Sequence, residues 1–226
     1  MTWVLANLEL IGGLMIEHLR QSAVAIVVGF LLSLPLGWIA WRYRLLRGWV
    51  IVITGLLYTI PSLALLLILP VIAGYPVTSD TNLIVALTIY AVAIMVRSVT
   101  DGLDSVEPAI RQAATAIGYG GVRRFFAVDL PLSGPVILAG LRVTAVSTIS
   151  LATVGILVGV TNLGYLFTNG LQRRIIAEVF AGVVAVVLLA LVIDVLLMLA
   201  GRMLMPWTRA VSPRRARRAS IKAALA

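Results

Sequence analysis

Long uncharged apolar runs, separated by short segments that carry arginine, make up most of this chain. The first clear run covers residues 22–41 and is long enough to cross roughly 30 Å of hydrocarbon. Trp38 and Trp41 stand near its end as interfacial anchors, and Arg42, Arg44 and Arg47 follow at once. A second run, 49–72, returns across the membrane with Pro61 at mid-span, where a kink is expected. Gly74, Tyr75, Pro76 and Asp80 then supply a short turn. The third run, 82–96, ends at Arg97; the fourth covers 131–160 and the fifth 175–204. Residues 1–21 form an N-terminal segment with Trp3, Val4, Leu8, Ile11, Leu14 and Met15 at helical spacing. That segment reads equally as an interfacial helix or as an extension of the first span.

Arginine placement sets the expected topology. The interval 132–172 could hold two spans, but a second one would put the basic C-terminal end on the outer side, against the positive-inside bias. One span followed by an external segment at 162–170 keeps three arginine clusters and the tail in the cytoplasm. Only Arg20, Arg173 and Arg174 are then left near the outside. The expectation is an all-α polytopic membrane protein with five transmembrane helices, its N-terminus outside and its C-terminus cytoplasmic. The transmembrane core covers 22–206, with a loop at 98–130 and a basic tail at 207–226.

Composition agrees with the pattern: 61% of the 226 residues are hydrophobic and 12% charged, against about 25% charged in soluble domains. The net charge of +9 raises a nucleic-acid reading. It is excluded because the cations sit between apolar runs and in the tail, not along one amphipathic face. Arg214, Arg215, Arg217 and Arg218 are instead expected to rest against anionic membrane lipid. Cysteine is absent, so disulfides and thiolate metal sites are excluded.

The loop at 98–130 is the most informative segment. Val106, Ala109, Ile110, Ala113, Ala114 and Ile117 recur at the three-and-four spacing of one helix face. Asp104 or Ser105 is expected to cap its start, Pro108 to occupy the first turn and Gly118 to end it. A second short element at 122–128 carries Phe125 and Phe126, and Pro131 opens the fourth span. On pattern alone, this helix could pack on its own bundle or dock against a partner.

Equipment for catalysis is missing. Lys222 is the sole lysine and no glycine-rich turn precedes it, so no phosphate-binding loop is present. His18 is the sole histidine, which excludes His-Glu-x-x-His zinc chemistry; near the outer end of the first span it reads as an interfacial residue. Glu178 reads the same way. Arg142 and Asp194 lie within spans, and a structural bridge between spans four and five is favoured over a gate. Tyr58, Tyr90 and Tyr165 could offer ring faces to a cation, but their scatter assigns no substrate site. Gly29, Gly37, Gly55, Gly155 and Gly159 are expected to allow close helix packing.

Read in order, Gln112-Ala113-Ala114, three residues, Gly118, nine residues, and Val128-Asp129-Leu130-Pro131 resemble the signature loop of binding-protein-dependent ABC importer permeases. That signature runs Glu-Ala-Ala, three residues, Gly, nine residues, Ile-x-Leu-Pro. The spacing is complete. Gln112 replaces the glutamate, removing a charge, and Val128 replaces isoleucine. The likeness extends over 17–206. Residues 58–64 and 130–137, Asn162-Leu163-Gly164 and Asp194 are similar to the osmoprotectant branch, which carries glycine betaine, carnitine, choline and proline.

The resemblance implies the type I permease fold of ABC importers, with a cytoplasmic coupling helix held in a groove of a separate ATPase. Gln112, Ala113, Ala114, Gly118, Val128, Leu130 and Pro131 are then the coupling residues. It also implies that ATP is used by the partner, that this chain holds no cofactor or metal, and that it is a transport subunit and not an enzyme. A second permease copy or a homologous chain, and an extracytoplasmic binding protein, complete the implied assembly. Two alternatives stay open: a permease for an amino acid or related zwitterion, and a channel or membrane scaffold.

Overall fold

The structure, a computed structural model, describes residues 2–209; the arginines at 214–218 and most of the basic tail lie outside the described residues. Helices α1 (Thr2–Ala6) and α2 (Leu8–Arg42) lead into α3 (Arg44–Thr59) and α4 (Ser62–Ala73). After a turn come α5 (Asp80–Asp104), α6 (Pro108–Ala116) and α7 (Gly121–Arg124), then a π turn (Phe125–Asp129) and α8 (Leu130–Ala152). A 3₁₀ turn (Thr153–Val158), α9 (Gly164–Gln172) and α10 (Ile176–Leu204) complete the bundle. Among the described residues, four stretches are long and apolar enough to cross a membrane, and the α3–α4 pair makes a fifth if its two halves count as one.

α5 is the central helix. Of its most apolar window 61% is buried, against 11% for α10, so α10 turns most of its surface outward. α2 lies along α5, which packs in turn on α8. Close approach explains the small residues on α2: a Cβ at Gly29 would stand 2.5 Å from that of Ala91, and one at Gly37 2.6 Å from that of Val99. Gly55 differs, with open space where its Cβ would be.

Several expected boundaries move. α2 runs unbroken through residue 21, so most of the N-terminal segment belongs to the first long helix. α5 continues past Arg97 to Asp104, and Arg97 reaches Asp101 one turn on at 3.9 Å. A charged residue ends an apolar run without ending a helix, which is why hydropathy alone stops short. Pro61 does more than kink the second span: α3 and α4 meet at 105°. Ile60, ahead of the proline, is extended at φ −63°, ψ 128°, and the buried Tyr90 hydroxyl donates to its carbonyl at 2.6 Å. The fourth run ends as an α-helix at Ala152, and the segment expected outside is largely helical as α9.

At the end of the bundle away from α6, buried polar groups hold the elements together. Gln21 donates to Asp80 and to the Thr161 carbonyl, and Asn162 donates to Gln21 at 3.1 Å and to the Ala152 carbonyl at 2.8 Å. The amide of Gly164 donates back to Asn162 at 2.8 Å. Such bonds are strong in a low-dielectric interior because water cannot replace them. The Asn-Leu-Gly run thereby acquires a structural reason: a Cβ at Gly164 would lie 2.1 Å from the Thr153 carbonyl oxygen. Gly164→Ala is therefore expected to cost about 3 kcal/mol, the upper end for overpacking, because backbone cannot step aside as a side chain can. Thermal unfolding of the detergent-purified variant checks this.

Two residues expected at the interface are buried. His18 is fully buried, with its Nε2 2.9 Å from the Ile149 carbonyl oxygen. Glu178 is likewise buried and accepts from Asn169 of α9 at 2.6 Å. Position near the end of an apolar run says little about which side of a helix faces the bundle.

Candidate coupling surface

The helix expected between the third and fourth spans is α6. Neither Asp104 nor Ser105 caps it. Asp104 ends α5 and pairs with Arg47 of α3, while the Ser105 hydroxyl donates to the Gly102 carbonyl at 2.7 Å. Glu107, extended at φ −60°, ψ 132°, takes the cap position without a side-chain bond, and Pro108 supplies the pre-set first turn. Gly118 ends the helix as expected. Its φ of +92° suits a residue without Cβ, and the crossed bonds of a Schellman motif close there, Tyr119 N–H to Ala114 O at 3.1 Å and Gly118 N–H to Thr115 O at 3.0 Å.

α6 does not bury the face that its periodicity suggested. Val106 and Ala114 are buried, but Ala109, Ala113, Ile110 and Ile117 are exposed, Ile117 by 75%. The two alanines of the signature therefore have opposite roles. Ala114 faces the protein's own bundle, and Ala113 faces away from it beside the exposed Gln112.

What holds α6 in place is a buried carboxylate. Asp129, 1% exposed, accepts from Arg111 Nε at 3.1 Å and from Arg124 Nε at 3.2 Å. Arg111 also donates to the Leu103 carbonyl at the end of α5, and its guanidinium lies 4.7 Å from the ring centroid of Trp41. Arg124 reaches back to the Thr115 hydroxyl on α6 at 3.1 Å. One carboxylate thus ties α6, α7 and the start of α8 together, with α5 and the end of α2 joined through Arg111. The cost of desolvating such a charge is offset only when every partner is present.

Aromatic packing surrounds the clamp. Phe125 meets Trp38 edge-on at 5.9 Å and Phe126 at 5.0 Å. Pro131 stands in the first turn of α8, directly after the π turn and within one continuous rod. A proline ring crowds the carbonyl four residues back, here that of Ala127. The wider turn, with Leu130 N–H bonded to Phe125 O, accommodates it. Val128 lies within that turn, and Leu130 joins the apolar cluster around Trp38, Trp41 and Phe125.

Arg142 of α8 and Asp194 of α10 form a two-pronged pair, Nε to Oδ1 and Nη2 to Oδ2 both at 2.6 Å. The three tyrosines do not converge: Tyr58 and Tyr90 meet edge-on at 6.0 Å beside the α3–α4 break, while Tyr165 packs in the separate cluster around Leu14 and Ile149. Sequence reasoning missed Asp129, Arg111, Arg124 and Trp41. The signature leaves the position of Asp129 open, and the arginines read as topology signals. The available clue was that Asp129 is the sole acid in 108–131, among three arginines.

The described residues thus form an all-helical bundle of several apolar helices, with a short, largely exposed helix, α6, anchored between two of them by an arginine clamp. Residues 19–210 match the family described as "Binding-protein-dependent transport system inner membrane component", and the chain belongs to that family. It is a permease subunit of an ABC importer system that also includes an ATPase and a substrate-binding protein.

The glycine betaine/carnitine/choline transport system permease protein OpuCD of Bacillus subtilis is 31% identical, over 87% of this chain and 82% of its own. The choline transport system permease protein OpuBB of the same organism is 33% identical, over 84% and 86%. The osmoprotectant import permease protein OsmW of Salmonella typhimurium is 31% identical, over 86% and 92%. Among solved structures, the inward-facing MetNI methionine ABC transporter matches with a TM-score of 0.70 at 22% identity, covering 91% of this chain and 96% of that one. An amino acid ABC transporter with histidines matches at 0.70 and 15% identity, covering 91% and 97%. At these identities the structural matches bear on the fold alone.

Proposed function

We propose that this permease moves a small osmoprotectant of the quaternary ammonium class, such as glycine betaine, carnitine or choline, into the cell. The observation that carries the reading is near-full-length similarity, at 31–33% identity, to permeases named for these compounds. The end of the bundle bearing α6 lies in the cytoplasm and the N-terminus outside. Arg42, Arg44, Arg47, Arg111, Arg123 and Arg124 cluster around α6, whereas Arg20 at the far end is paired with Glu17 and Asp80.

α6 docks in a groove of the ATPase, which hydrolyses the ATP, with Gln112, Ala113, Ala114, Gly118, Val128, Leu130 and Pro131 forming the coupling element. A second permease chain, identical or homologous, completes the pathway. The whole assembly carries two ATPases and receives cargo from the binding protein. Closure of the ATPases reaches the spans as a rigid-body movement of α6 with α8.

Reconstitution tests the reading. The permease, ATPase and binding protein in liposomes should take up betaine, carnitine or choline only with ATP. Uptake of methionine alone would move the cargo to the amino-acid class. Ion conductance by the permease without its partners would replace the importer with a channel.

A further inference from the structure

We infer that the corner between α3 and α4 lines the cargo passage midway across the membrane, and that the quaternary ammonium group of the cargo rests there against the ring of Tyr58. The inference rests on the cargo class proposed above and names the place in this chain that meets it.

The Tyr90 hydroxyl donates to the Ile60 carbonyl at the corner, and Tyr90 lies about 15 Å from one end of α5 and about 21 Å from the other. The corner therefore stands near the middle of the hydrocarbon layer. Its backbone is not sealed. Ile60 and Pro61 are both extended, at ψ 128° and ψ 131°, so α4 does not continue the hydrogen-bond ladder of α3. Among the described hydrogen bonds, the last carbonyls of α3, those of Tyr58 and Thr59, have no donor. Tyr58, Thr59 and Pro61 are also exposed, Tyr58 by 48%.

Hydrocarbon supplies no hydrogen bonds, so broken backbone at this depth survives only against protein or water. α10 shows what lipid accepts instead: an unbroken helix whose exposed residues from 183 to 199 are all valine or leucine. The chemistry of the corner suits a cation. Tyr90, itself 3% exposed, meets the Tyr58 ring edge-on and steadies it while leaving much of it uncovered. Aromatic rings attract quaternary ammonium groups through their negative faces, and the neighbouring carbonyls form the negative end of α3. No charged residue occurs in 48–79. The ammonium is therefore held without a fixed counter-charge, weakly enough to move on, as passage requires.

The chain has no cysteine, so single cysteines report cleanly. The full assembly is studied in liposomes during ATP-driven turnover, with labelling read as the mass of the permease. Thr59→Cys should react with a water-soluble thiosulfonate bearing a trimethylammonium group, and Val187→Cys on the lipid-compatible surface of α10 should not. Tyr58→Leu should lower uptake of betaine and choline about fivefold and Tyr58→Phe less than about twofold, because phenylalanine keeps the ring. Both variants should keep the native unfolding temperature, and labelling at position 59 decides the point whether or not Tyr58→Leu folds. An unreactive Thr59→Cys would mean that the second permease chain seals the corner, and native uptake by Tyr58→Leu would take the ring off the cargo's route; either overturns the inference. A native assembly that carries none of the three compounds overturns the cargo reading, and the ammonium contact with it, even if Thr59→Cys reacts.

Discussion

Asp129→Ala is expected to leave the permease inserted in the membrane but to lower ATP-driven uptake more than tenfold. The substitution removes the carboxylate and leaves Arg111 and Arg124 facing each other with nothing between. Losing one partner of a buried ion pair costs about 3–5 kcal/mol, and the lower end applies because both guanidiniums retain a route to water. Even about 1.4 kcal/mol shifts an equilibrium tenfold, so α6 would leave its seat for much of the time. The apolar clusters around Leu66, Leu83 and Tyr90, and around Ile149 and Leu166, do not include the clamp. Assembly of the spans should therefore survive.

The diagnostic readout is coupling: stimulation of ATPase activity by loaded binding protein should fall with uptake, and Asp129→Glu should restore part of both. Native uptake by the alanine variant would show that the clamp is dispensable.

Ala113→Trp is expected to abolish co-purification of the ATPase without destabilising the permease. Ala113 is exposed on α6, so an indole there extends away from the bundle, into the space that the proposed docking gives to the ATPase. Ala114→Trp should behave differently. Ala114 is 6% exposed, and forcing a large ring beneath α6 costs about 1–3 kcal/mol of the permease's own packing. Gly118→Val attacks the same element at its end, since a β-branched residue at φ +92° carries strain of about 1–3 kcal/mol. Pull-down and thermal unfolding, measured on all three, separate the mechanisms. Only Ala113→Trp should lose the partner at unchanged unfolding temperature.

The spans and α6 could be read from the sequence because their signals are local. Pro108 and Gly118 bracket a nine-residue helix, and both act through their own backbone preferences. The clamp could not be read in the same way. Arg111 and Asp129 are eighteen positions apart, and no periodicity relates a side chain on α6 to one at the foot of α8. Their pairing is a product of the fold. The alanine doublet shows the limit from the other side: its spacing identified the element, but which alanine turns inward depends on how Arg111 is anchored. His18 and Glu178 show the same limit, because burial within a bundle is decided by neighbours that the sequence does not name. Pro61 announced a bend, but neither its 105° size nor the bond from the Tyr90 hydroxyl to the Ile60 carbonyl at its corner has a local signal.

The stretch Gly121–Val158 is one uninterrupted rod of 38 residues, about 57 Å long at 1.5 Å per residue. Asp129 grips it near its foot, and Asn162 donates to the carbonyl of Ala152, short of its tip. On the topology and coupling proposed above, it is a lever whose two ends lie on opposite faces of the membrane. A tilt of about 5° at the foot carries the tip through about 5 Å over that length, close to the width of a trimethylammonium group.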